Sequence, residues 1–312
     1  MAGQGTLVVA TDYNTIQSKI QAVFGDGGTN PNTGLPDGSF GYGQTLVSIP
    51  VSANAKVSVT QWNNLRTDLV KARQHQLGIT VGTKESSDPL YVPGQDLKIP
   101  TTANKVTETD RASFNQMADY VISDRLVAAA GQLSRDTVSN LTYSSNWSAT
   151  ITHSVTMTFS TTNRPRNFFN AGGYVDITAS QLITGTNTKN DAWKNLINTI
   201  GVVTFSRTTT TTTGSGTASA IGFTQLTTSD QLIYQKLSSA YSPNVYRIYA
   251  RIGATANILI FTIQFADLNT PADPTWGIDE VITGSVTSKV ETVRATGTNV
   301  SSALPTITAS FT

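Results

Sequence analysis

Near residue 137 the hydrophobic period of the chain changes from the helical 3.6 to the strand period of two, and this limits what it can fold into. Upstream, apolar residues recur three and four apart, as on helices with one buried stripe. Downstream they alternate, as on strands with one packed face. The expected class is α+β, a small N-terminal helical part followed by an antiparallel β-sandwich-like domain. Residues 1–107 read as a helical segment with Gly/Pro-rich loops. Residues 108–136 read as a long connecting helix, and residues 137–312 as an antiparallel β domain with one short helix.

The stretch "TDYNTIQSKIQAVFGDGG" predicts a first helix capped by Thr11 or Asp12 and stopped at Gly25, with Tyr13, Ile16, Ile20, Val23 and Phe24 on one face. A second helix is expected at about 59–76, capped by Thr60 and ended by Gly78, with Trp62, Leu65, Leu69 and Ala72 inward and Arg66, Lys71 and Arg73 off the stripe. A third is expected at about 108–133 through Phe114, Met117, Val121, Leu126 and Ala130. A lone helix cannot bury such a stripe. Trp62, Leu65 and Leu69 therefore mark a helix face for packing or for assembly with a partner chain. Between the helices lie a Gly-, Asn- and Pro-rich loop at 25–44 and an extended connection at 79–107.

In the β part, "WSATITHSVTMTFST" places Ile151, His153, Val155, Met157 and Phe159 on one side of a strand, and "TKNDAWKNLINTIG" predicts a short helix at about 188–200. The segment "NFFNAGGYVDI" at 167–177 reads as a corner joining two strands of the β domain, made by Phe168, Phe169, Asn170, Gly172 and Gly173. Pro165 keeps Arg164–Arg166 out of a central ladder position, so that part reads as a bend or an edge. The glycine pair lets the backbone turn with positive φ, and at least one of the two phenylalanines is expected to be buried.

The chain offers little to catalysis. It has no cysteine, so thiol chemistry, thiolate metal sites and disulfides are excluded. Its two histidines, His75 and His153, lack metal-ligand spacing. His75 reads as a cation at a helix C-terminus, and His153 as a strand-face residue. The carboxylates of "ADLNTPADPTWGIDE" (266–280) lack the spacing of a calcium loop, and neither a nucleophile elbow nor a phosphate loop occurs. No catalytic, cofactor-binding or metal residue is assigned. Charged residues are 13% of the chain and the net charge is +1, which gives no basic footprint for nucleic acid, and no apolar run approaches the ~18 residues of a membrane span.

The segments "DYNTIQSKIQAVFGDG", "GYGQTLVS", "VTQWNNLRTDLVKARQHQ" and "MTFSTTNRPRNFFNAGGYVDI" together resemble virion structural proteins of tailed bacteriophages, of the marine and cyanobacterial myovirus type. The resemblance covers residues 11–78 and 150–180. It implies a non-enzymatic, multi-copy neck, tail or fibre-associated component, assembled in the host cytoplasm and residing in the virion. Its partners would be copies of itself and other virion proteins, with no nucleic acid and no membrane insertion. Two other readings stay open. One is an appendage that binds a receptor or host surface glycan through rings such as Trp147, Tyr234, Tyr241, Tyr246 and Trp276. The other is a tail-associated hydrolase, for which no carboxylate pair stands out.

Overall fold

The computed structural model describes residues 8–84, 88–103, 106–242, 244–268 and 281–312. The chain forms two compact units. Unit 1 takes in residues 1–134 with Arg166–Gly172 and Arg294–Ser302, and unit 2 takes in Arg135–Pro165, Gly173–Val293 and Ala303–Thr312. The fold is α+β, with the helices first and two antiparallel sheets after them.

Unit 1 is built on three helices: α1 (Ala10–Phe24), α2 (Val59–Leu77) and α3 (Glu108–Ser123). The predicted stripes form its core. Tyr13, Ile16, Ile20, Leu65, Leu69, Phe114 and Val121 are fully buried. Trp62 sits between the other two helices, edge-on to Tyr13 at 5.4 Å and to Phe114 at 4.9 Å.

The helix ends differ from expectation in instructive ways. The cap of α1 is Val9, whose N–H donates to the Asp12 carboxylate at 3.0 Å, so Asp12 acts from the third helical position. The cap of α2 is Ser58, in a reciprocal box with Gln61, and the helix ends at Gly78 in the left-handed region (φ 71°). The expected connecting helix to residue 136 stops at Ser123. Leu126 and Val127 lie beyond its end and are exposed.

Unit 2 holds the two sheets. Of α4 (Arg164–Asn170), Arg164 and Pro165 belong to unit 2 and the remaining residues to unit 1, while α5 (Thr188–Asn198) belongs to unit 2. One sheet orders β1 (Leu133–Tyr143), β10 (Gly284–Ala295), β3 (Tyr174–Ile183), β4 (Val203–Phe205) and β5 (Thr210–Thr212). The other orders β11 (Thr306–Phe311), β2 (Thr150–Thr158), β9 (Ile258–Ala266), β8 (Val245–Ile252), β7 (Gln231–Leu237) and β6 (Thr217–Ala218).

The inner faces meet, with Phe205 edge-on to Phe261 at 5.3 Å, and Val155, Met157, Ile177, Ile263 and Val290 fully buried. The alternation read for β2 is therefore its inner face. Inside this layer His153 bridges the sheets: Nε2 lies 2.9 Å from the Ser139 hydroxyl and Nδ1 2.7 Å from that of Ser288. A neutral imidazole satisfies both, donating from one nitrogen and accepting at the other. Burial drives its pKa down to about 4, which keeps it neutral.

Candidate assembly surface

The corner residues lie elsewhere than expected. Arg164–Asn170 is a short helix, with Pro165 in its first turn where its missing N–H costs nothing. The expectation of a bend or sheet edge overlooked that use of proline. Phe168, Phe169, Asn170 and Gly172 group with the helical unit, and Gly173 with the β unit. Both phenylalanines are buried, edge-on to each other at 5.0 Å. Gly172 alone of the glycine pair takes positive φ (85°), and a Cβ there would lie 2.6 Å from Ala128 Cβ.

Within unit 1 this segment clamps the Gly-rich loop. The Asn170 amide donates to the Gly38 and Phe40 carbonyls at 3.1 and 2.9 Å. Arg166 donates to the Asp26 carbonyl at 2.5 Å, and Asn167 to the Asp26 carboxylate at 3.2 Å. The loop closes on itself where Gly27 and Gly41 meet: a Cβ on Gly27 would lie 2.5 Å from the Gly41 backbone. A cleft of about 360 Å³ lies between the loop and α1, lined by residues such as Ser18, Gln21, Thr29 and Asn30, none of them acidic or basic.

Trp62, Leu65 and Leu69 face the core of unit 1, so α2 presents other residues to the remaining loops. On one side of the stripe, buried Asp68 accepts the Val47 N–H at 3.1 Å and the Ser48 N–H at 2.8 Å. Asn14 on α1 donates to the Val51 carbonyl at 2.8 Å and accepts its N–H at 2.9 Å. The Tyr13 hydroxyl donates to the Ile49 carbonyl at 3.1 Å. Burial, with the nearby Asp68 charge adding, raises its pKa to about 12, so it remains a donor.

On the other side, Asn63, Arg66 and Arg73 share a helix face. Arg66 donates to the Leu97 and Gly82 carbonyls at 3.0 and 3.2 Å, and Asn63 to the Pro100 carbonyl at 3.0 Å. Arg73, itself buried, donates to the Gly94 carbonyl at 3.0 Å and pairs with Asp124 at 2.6 Å. Arg66 and Arg73, both off the apolar stripe, thus bond the backbone of this connection.

Both loops are thus held to the helix by side chains that bond their backbones, while their own apolar side chains point out. Ile49 is 64% exposed and Leu90 70%. Val47, Val92 and Ile99 are also exposed. Of the fifteen large apolar side chains exposed among the described residues, ten belong to unit 1.

The candidate chemical groups are taken up in packing. His75 is fully buried, edge-on to Tyr42 at 5.1 Å. Burial depresses its pKa to about 4, which corrects its reading as a cation at the helix end. Trp147, Tyr234 and Tyr246 are buried and cannot stack on a sugar. Trp276, Asp273, Asp279 and Glu280 lie outside the described residues. Among the described residues no group of three or more His, Asp or Glu side chains is placed to hold a metal, and no helix is long and apolar enough to cross a membrane.

No protein-family model matches the chain, and neither a curated protein nor a solved structure does.

Proposed function

We propose that the chain is a non-enzymatic structural component of a tailed-phage virion, present in many copies in the neck, tail or fibre region and acting through protein–protein contacts. One observation carries this reading. In unit 1, apolar side chains are displayed on loops whose backbones are already fastened by Asn14, Asn63, Arg66, Asp68 and Arg73. A contact surface of this kind loses little conformational entropy on binding, because its loops are ordered beforehand.

The resemblance to phage structural proteins, over residues 11–78 and 150–180, takes in α1, α2 and the clamp at Asn170 of this unit, together with β2 and the start of β3 in the other. The neutral burial of both histidines adds support, since neither is exposed to act as an acid or base. The test is gold labelling of purified particles with an antibody to this chain, viewed by electron microscopy. Labels at a fixed position on the neck, tail or fibres are expected. Unlabelled intact and partly disassembled particles would contradict the proposal.

A further inference from the structure

The two sheets have four edges, and three carry a device against pairing. β5 and β6 are two or three residues long, and the chain just after β6 closes on β5, the Thr210 N–H donating to the Ser219 carbonyl at 3.2 Å. β1 carries Arg135 and Asp136. The fourth edge, β11, reads "TITASF" and contains neither a charge nor a proline.

The ladder shows which groups of β11 remain open. Thr312 and Thr152 exchange both backbone hydrogen bonds, at 2.5 and 2.8 Å. The antiparallel register pairs Ser310 with Ser154, Thr308 with Thr156 and Thr306 with Thr158, so these even-numbered residues face β2. The N–H and C=O groups of Ile307, Ala309 and Phe311 therefore point away from the sheet. Their side chains lie on the inner face, opposite Met157, Val155 and His153, and are only partly buried. Phe311 stacks on His153 at 5.4 Å, which holds the end of the strand in place.

From this edge we infer that β11 pairs antiparallel with β11 of a second copy, about a two-fold axis at Ala309. The sequence of the strand is what names the occupant. With Ala309 opposite itself, Ile307 meets Phe311 of the second copy, and every outward N–H and C=O of the three residues finds its counterpart. On the outer face Thr308 meets Ser310, a hydroxyl pair that favours antiparallel neighbours. No like charges oppose each other, because the strand has none. The two six-stranded sheets then run on as one across the dimer. A closed two-fold interface of this type is self-complementary by construction. The inference rests on the assembly reading above only in assigning the contact to a self-associating protein.

The experiment is sedimentation equilibrium of the full chain over a concentration series, with Ala309→Pro and Ile307→Lys beside the native protein. Proline at 309 removes an N–H that β2 does not use, and lysine at 307 is the kind of guard that natural edges carry. Circular dichroism and a thermal melt check that each variant is folded.

The native chain is expected to dimerise, and each folded variant to dissociate with a dissociation constant raised roughly tenfold or more. Slowed amide exchange at Ile307, Ala309 and Phe311 in the dimer is the matching signature. A native dimer that both folded variants retain would overturn the pairing of β11 and leave the virion reading standing. A chain that is monomeric at every concentration would overturn the inference as well. If it were then found in particles, the function would survive without it.

Discussion

The Asn170 side chain donates to the Phe40 carbonyl at 2.9 Å across 130 residues of chain, and to the Gly38 carbonyl at 3.1 Å. Both acceptors belong to the Gly-rich loop, and Asn170 is 1% exposed. Asn170→Ala leaves these carbonyls short of a donor. It should cost about 1–3 kcal/mol in a urea titration and speed amide exchange in residues 27–42. A variant as stable as the native protein, with unchanged exchange, would show that the clamp holds nothing.

Two glycines separate backbone strain from collision. At Gly34 φ is 69° and a Cβ would meet no atom within 4 Å, so Gly34→Ala carries strain alone, about 1–2 kcal/mol. At Gly172 the backbone is also left-handed, and the added Cβ would lie 2.6 Å from Ala128. Gly172→Ala should therefore lose clearly more stability than Gly34→Ala when the two are compared by denaturation. Equal losses would mean that the Ala128 contact yields freely.

Acid stability should carry the mark of two buried neutral histidines. In the folded chain His75 and His153 take up protons only near pH 4, because burial lowers both from 6.5. The unfolded chain binds them near 6.5, so unfolding takes up protons between these values. Stability falls as pH drops through that window, by a few kcal/mol on the order of magnitude for the two together. Glu291, held below the usual carboxylate range by its hydrogen bond from Lys289, adds its own loss at lower pH. His153→Gln keeps a donor and an acceptor between Ser139 and Ser288 and should flatten the slope between pH 6.5 and 4.5. An unchanged slope in urea midpoints taken at several pH values would remove His153 from this account.

Lys189 on α5 and Asp267 after β9 form an ion pair at 2.6 Å, with side chains 1% and 0% exposed. Lys189→Met takes the charge of this ion pair away from a buried carboxylate and should cost roughly 3–5 kcal/mol. Pairing it with Asp267→Leu should recover part of that loss, since the buried carboxylate goes with its partner. A double variant no more stable than the single one would show that the site depends on more than charge balance.

How far the sequence could be read depended on the range of the interaction. The stripe Tyr13, Ile16, Ile20 and the stop at Gly78 were legible because periodicity and capping act within a few residues, and the same holds for Ile151, His153 and Val155. The polar anchors were not legible. Asp68 meets Val47 and Ser48 about twenty residues away, and Asn170 meets Phe40 across 130, so no local pattern announces them. His75 misled for the same reason: its place near a helix end is local information, while Tyr42, which packs against it, arrives from a distant loop. Arg66 and Arg73 were legible only as lying off the stripe, because the loop carbonyls that accept from them carry no signal in residue type.

The proposed virion role is tested most directly by counting copies. Mass spectrometry of purified, salt-washed particles, calibrated with isotope-labelled peptides of this chain, gives its number per particle against a known tail protein. The account predicts a fixed multi-copy ratio that persists through washing. A chain absent from the particles, or present below one copy each, would contradict it.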